Sequence, residues 1–271
     1  MTEKTDGTSY WRSALVVLQC VAVLTLVAWG VEVWVSSATW QASMTGKATG
    51  ASYTRAEIAP ETLVSASPMP TAQAALPVAA PALPISARID PAWLDRVSAR
   101  TGIPRTALAA YAGAASVLAE KSPQCHLGWN TLAAIGHIES DDGRHGGAVL
   151  GADGYPSVPI VGPALDGGGF AGIHDSDGGQ WDGDPVWDHA VGPFQFIPQT
   201  WRIWGADGNG DGRADPNQIE DAALAAANYL CHAGDLSSVE GWRRAVFSYN
   251  HLDSYVDDVA RDANALADRA R

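Results

Sequence analysis

Residues 36–88 set the first limit on what this chain can fold into. Ala, Pro, Ser and Thr dominate the stretch, with prolines at 60, 68, 70, 77, 81 and 84. Such a composition offers too little apolar surface to offset the ordering of a backbone, so it predicts a disordered, semi-stiff linker rather than a domain. In polyproline form, at ~3.1 Å per residue, the linker spans up to ~150 Å. It separates a short N-terminal part from residues 89–271, where globular patterning begins.

The N-terminal part has its own constraint. Ala14–Val31 (ALVVLQCVAVLTLVAWGV) is almost wholly apolar, broken only by Gln19 and Thr25. Eighteen helical residues cover roughly 27 Å, close to the hydrocarbon thickness of a bilayer. Lys4 and Arg12 precede the run, as for an N-terminus kept on the cytoplasmic side. The expectation is a cytoplasmic segment at 1–13 and a transmembrane anchor at 14–35. A cleaved signal sequence is the other reading, with Ser36-Ser37-Ala38 as its cleavage site. The apolar run is longer than the roughly 7–15 residues usual for secretory cores. Under either reading residues 89–271 work outside the cytoplasm, in the cell envelope or beyond it.

Export changes how the cysteines read. Cys20 falls within the apolar run, which leaves Cys125 and Cys231 in the exported part. An oxidising compartment favours their pairing, with two buried free thiols as the alternative. Charge narrows the partners. The chain carries −13 overall, and between Asp141 and Asp221 fourteen acids face three arginines. Such a surface repels phosphate backbones and attracts cations, which argues against nucleic acid and admits a divalent metal.

From Ile89 the pattern is helical. Asp90-Pro91 predicts a helix start in which Asp caps and Pro occupies the first position, with Trp93, Leu94 and Val97 on one side. Ile103-Pro104 opens an Ala-rich helix to about Glu120, and a third helix runs from about Gly128 to Glu139. Residues 143–186 are rich in Gly and Asp and predict a long loop with room for a short hairpin, of the kind that forms lids or groove walls. Helices resume at Pro198–Trp204, Ile219–Leu230, Gly241–Tyr249 and Ser254–Ala270. The fold class is mostly α.

Three segments carry candidate chemistry. In IGHIES (135–140), Glu139 lies seven and four residues after Leu132 and Ile135, on their apolar face. Desolvation and the negative end of the helix dipole both disfavour the charged form, as a general acid at neutral pH requires. A surface glutamate with its head in water is the plainer reading. In DGNGDGRADPNQIED (207–221), Asp207, Asn209, Asp211 and the carbonyl of Arg213 match the first half of an EF-hand calcium loop. Gln218 stands where a bidentate glutamate usually closes that loop, and Asp221, at position fifteen, can close a longer one. The third segment pairs AVGPFQFIPQTW (190–201) with SYNH (248–251), whose aromatics and amides suit a sugar cleft and equally suit a core.

Taken in order, IGHIES, GPFQFIPQTW, the 207–221 loop, Asn228-Tyr229 and Tyr249-Asn250 resemble the soluble domain of lytic transglycosylases of the membrane-bound B type, in their actinobacterial branch. The resemblance spans most of 89–271. It implies a lysozyme-like domain that cleaves peptidoglycan glycan strands, with Glu139 as the single catalytic acid and base. Gln195, Tyr229, Tyr249 and Asn250 then line the cleft, and a structural Ca²⁺ sits among Asp207, Asn209, Asp211, Arg213 and Asp221. The reaction it implies closes a 1,6-anhydro ring on N-acetylmuramic acid without water. The chain departs from the family at Pro193-Phe194 and in the length of the 143–186 loop. A hydrolytic muramidase and a non-catalytic, calcium-dependent peptidoglycan-binding module are the alternatives. A dockerin-like module would carry two calcium loops, and this sequence has one.

Overall fold

A computed structural model describes residues 83–168 and 172–271. The expected cytoplasmic segment, the anchor at 14–35 and most of the linker lie outside these residues. Among the described residues, no helix is long and apolar enough to cross a membrane.

A 3-10 turn at Ile85–Arg88 opens the fold, followed by α1 at Pro91–Thr101, α2 at Arg105–Lys121 and α3 at Trp129–Ser140. A long irregular segment then holds a two-stranded antiparallel pair, β1 (Val161–Ala164) and β2 (His189–Val191). Four helices complete the chain: α4 (Pro198–Trp204), α5 (Ile219–His232), α6 (Val239–Tyr249) and α7 (Asp253–Ala270).

Local chemistry sets the helix ends. Asp90 caps α1 by accepting the Ala92 N–H at 3.0 Å, Pro91 fills the first turn, and Gly102 at φ 81 terminates it. Gln218 caps α5, its side-chain oxygen accepting the N–H groups of Glu220 (2.6 Å) and Asp221 (3.0 Å). That explains the departure at this position: the amide is engaged as a helix cap.

Alanine governs the packing. Helix α2 lies against α5, and each buries a run of small side chains, among them Ala107, Ala110 and Ala114 on one and Ala222, Ala223 and Ala226 on the other. Helix α3 packs against α7 and α2, so the end that carries Glu139 is fixed on two sides. The 3-10 turn also packs on α2. Ile85 is 5% exposed, and its carbonyl lies only 2.6 Å from where a Cβ on Gly113 would stand. Burying such a side chain is worth roughly 2 kcal/mol. The packed fold therefore begins at Ile85, inside the stretch assigned to the linker up to residue 88. Composition marks Pro84–Arg88 as linker, but the slot that Gly113 leaves lies on a different helix.

Cys125 and Cys231 form a disulfide with Cα atoms 5.3 Å apart. It joins the segment entering α3 to the last turn of α5. Alongside it, the Leu236 N–H donates to the Cys125 carbonyl at 2.8 Å, and His126 Nδ1 sits 2.7 Å from Asp235 Oδ1. In the long loop, Val161 lies opposite Val191 and Ala164 opposite His189, with an irregular register between them. Leu165, Ala190 and Ile197 form a small separate core there.

Candidate active site

The site begins with a missing side chain. Gly136 lies one turn before Glu139, and the Tyr111 hydroxyl occupies the space a Cβ would need. Tyr111 is fully buried and donates to Asp142 Oδ1 at 3.1 Å, just past the end of α3. Asp141 and Asp142, at φ 52 and 57, turn the chain out of the helix, and their N–H groups close on the carbonyls of His137 (2.8 Å) and Gly136 (3.1 Å). Ser140 Oγ then donates to the Pro193 carbonyl at 2.7 Å. The end of α3 is thereby joined to the 192–196 segment.

Glu139 is 7% exposed, and the Tyr255 hydroxyl donates to its Oε1 at 2.7 Å. Tyr255 comes from the first turn of α7 and is itself buried. The sequence places Glu139 on the buried face of its helix, as found, but does not single out Tyr255. With Val256, Val259, Ala263 and Leu266, that tyrosine reads as one more member of an apolar stripe.

The second wall is built around Gly192. Its φ of 74 and the Pro216 carbonyl lying where its Cβ would project leave no room for another residue. Gln195 follows in a left-handed conformation at φ 49, with Nε2 donating to the Gly192 carbonyl at 3.1 Å. Tyr249 donates to the Phe194 carbonyl at 2.7 Å, and Tyr229 to the Ser248 carbonyl at 2.5 Å. Edge contacts link Phe196 to Tyr249 (6.1 Å between centroids) and Tyr249 to Tyr229 (5.6 Å). Gln195, Tyr229 and Tyr249 thus belong to one assembly. Asn250 caps α6, is 1% exposed, and has neither its Oδ1 nor its Nδ2 in a hydrogen bond. A buried amide without partners costs free energy, so this group points to a ligand or water that supplies them.

The acidic loop is organised by its own backbone. Asp207 accepts the N–H groups of Gly210 (2.7 Å) and Gly212 (2.8 Å), Asn209 accepts that of Asp211 (2.9 Å), and Asp211 that of Arg213 (2.8 Å). Asp221 reaches across from α5 to accept from Gly208 (2.7 Å), Asn209 (3.1 Å) and Asp215 (2.9 Å). It has no solvent exposure, and burial pushes its carboxyl up to about 6. These side chains offer only oxygen, the donor a hard divalent cation prefers, but Asp207, Asp211 and Asp221 are not among the carboxylates whose ligand atoms converge within 4.8 Å in the described residues. Tighter groupings occur elsewhere. His137, Asp141 and Asp142 bring ligand atoms within 4.8 Å of one another, as do Asp175, Asp177 and Asp188. The sequence showed those acids only as charge.

Residues 179–268 match the family model for the transglycosylase SLT domain. No curated protein and no solved structure was found to match the chain. The transglycosylase match supports a lytic transglycosylase that acts on peptidoglycan outside the cytoplasm. It takes in Gln195, the 207–221 loop, Tyr229, Tyr249, Asn250 and Tyr255, and it begins well after Glu139. The Tyr255 hydrogen bond and the Ser140–Pro193 contact carry Glu139 into the matched region.

Proposed function

We propose that this protein cleaves the bond between N-acetylmuramic acid and N-acetylglucosamine in peptidoglycan, leaving a 1,6-anhydro end. The observation that carries the reading is Glu139: a buried carboxylate at a helix end, hydrogen-bonded by Tyr255 from within the transglycosylase match. As acid, Glu139 gives its proton to the bridging oxygen while the C1–O bond breaks. As base, it then takes the proton from the muramic 6-hydroxyl as that oxygen bonds to C1. The substrate's own acetamido group stabilises the cation, so the chemistry asks for no second carboxylate and departs from the two-carboxylate pattern. Tyr255 orients Glu139 and supports its carboxylate form after proton transfer. The unpaired amide of Asn250 suits an acetamido or hydroxyl group, and Tyr229 and Tyr249 offer ring faces to the sugar.

We also propose that Ca²⁺ binds Asp207, Asn209, Asp211, Asp221 and the carbonyl of Arg213, where it would neutralise charge and stiffen the loop. Anchoring through residues 14–35, with the linker from 36 up to the start of the packed fold at Ile85 as a tether, completes the reading. Mass spectrometry of sacculi digested by the full chain tests the reaction. Anhydro-ended fragments, absent with Glu139→Gln, are expected. Reducing ends alone would make the protein a muramidase, and no fragments at all would leave only binding.

A further inference from the structure

A groove of about 440 Å³ opens between the 176–181 turn and α4, away from the residues grouped around Glu139. Ser176, Asp177, Gln180 and Trp181 line it from the long loop, and Trp201 and Arg202 from the helix. Its size falls among small-ligand sites, which run from roughly 300 to 1,000 Å³. The walls are held in place. The Trp181 N–H donates to Asp177 Oδ2 at 3.0 Å, and the Arg213 guanidinium lies 5.4 Å from the indole centroid. Arg202 Nη1 reaches to 3.5 Å from the Ser176 carbonyl. Trp201 meets Phe196 edge-on at 5.3 Å, and Phe196 in turn meets Tyr249 at 6.1 Å. A chain of ring contacts therefore runs from the groove to the wall that carries Gln195.

The lining selects among ligands. The half-buried indole of Trp181 offers apolar surface to the C–H face of a pyranose, whose positively polarised hydrogens suit the negative ring face, whereas Trp201 is 5% exposed and adds little. Gln180 offers both a donor and an acceptor, Arg202 keeps donors beyond the one at the Ser176 carbonyl, and Asp177 keeps lone pairs beyond those taken by the Gly179 and Trp181 N–H groups, which fits the hydroxyl and acetamido groups of a sugar. An alkyl chain would set apolar surface against the remaining donors of Arg202 and acceptors of Asp177. A phosphate would meet the acidic field of the 175–221 segment.

We propose that this groove is a second saccharide subsite, holding an N-acetylhexosamine ring of the glycan strand remote from the bond at Glu139. The choice of a glycan strand rests on the function proposed above, whereas the preference for a sugar rests on the groove. The test uses the full chain carrying Glu139→Gln, so that ligand is not consumed. Peptide-free glycan strands and the N-acetylglucosamine tetramer are titrated against tryptophan fluorescence. Trp181→Ala and Gln180→Ala should each weaken strand binding by about fivefold, the worth of one stacking or polar contact. Gln180 is exposed, so its variant decides the matter if Trp181→Ala fails to fold. Strand binding within twofold of the parent for folded groove variants overturns the subsite, even where the native chain digests sacculi. Weakened binding together with no digestion by the native chain keeps the subsite and overturns the cleavage reading.

Discussion

The C-terminal end of α3 and the N-terminal end of α5 each bury a carboxylate, and the surroundings differ in kind. Asp221 lies in the first turn of α5, where the helix field favours negative charge, and accepts three backbone N–H groups. Glu139 lies in the last turn of α3, where the field opposes negative charge, and is met by a phenolic hydroxyl. The first arrangement fixes a loop. The second holds a carboxyl group against a tyrosine hydroxyl brought from another helix. On the function proposed above, the contrast separates a structural acid from a reactive one, and each variant below is a way to break it.

The largest effect should fall on Glu139. Glu139→Gln keeps the side chain's size and its acceptor for Tyr255 but removes the proton donor. Fragment release from sacculi should fall by about 10²- to 10⁴-fold, while the thermal unfolding curve stays close to the parent's. A folded Glu139→Gln protein that still digests sacculi would remove the reactive half of the comparison.

The disulfide ties the same two helices together at their opposite ends, since Cys125 precedes α3 and Cys231 lies in the last turn of α5. Its partners are 106 residues apart, and the chain-entropy model gives such a bridge up to ~4–5 kcal/mol. Reduction should therefore lower the melting temperature by many degrees. Both cysteines labelling as free thiols in the unreduced, exported protein would exclude the bridge.

These two predictions use residues that the sequence makes legible, and the reason is physical. Asp90-Pro91 caps a helix through atoms two residues apart, and Glu139 follows Leu132 and Ile135 by helical period alone. The pairing of Cys125 with Cys231 follows from compartment and elimination. What the sequence hides depends on a distant partner. Tyr255 meets Glu139 across 116 residues. Ile85 packs because a glycine on α2 leaves it room, and Gln218 is a helix cap where a loop consensus looks for a ligand. Asp175, Asp177 and Asp188 converge only because an irregular loop returns on itself. Local period and capping chemistry survive in sequence, but pairings across the fold do not.

A smaller effect is expected at the structural acid. Asp221→Ala would strip three backbone N–H groups of their acceptor inside the fold, at a cost of ~3 kcal/mol. Sacculus digestion should survive at low temperature, in contrast to Glu139→Gln. Added Ca²⁺ should raise the parent's unfolding temperature, by the equivalent of ~2.7 kcal/mol at 100 times Kd, and leave Asp221→Ala unmoved. If calcium shifts neither curve, the loop is held by its amides alone and the cation has no part in it.

The smallest effect is expected at His137, which shares the end of α3 but lies on a different face from Glu139. Its Nδ1 sits 3.4 Å from Asp141 Oδ1 and 3.7 Å from Asp142 Oδ2, and Arg144 reaches both carboxylates from the other side. The nearby carboxylate of Asp142 first, then the charges of Asp141 and Asp262, raise the imidazole above its usual range against the opposing effect of burial. A raised folded-state value means that the protonated ring stabilises the native state. That contribution is complete below the ordinary histidine range and is lost as pH rises through the raised value. Because the side chain is half exposed, screening should keep it to a few tenths of a kcal/mol. Urea unfolding midpoints of the parent and His137→Gln, measured from pH 6 to 8.5, should therefore differ most at the acidic end and converge at the basic end. Sacculus digestion should be alike in the two proteins at any pH where both are folded. Were His137→Gln instead to stop digestion with the fold intact, the reactive region would extend around the helix end, and Glu139 would no longer mark its boundary.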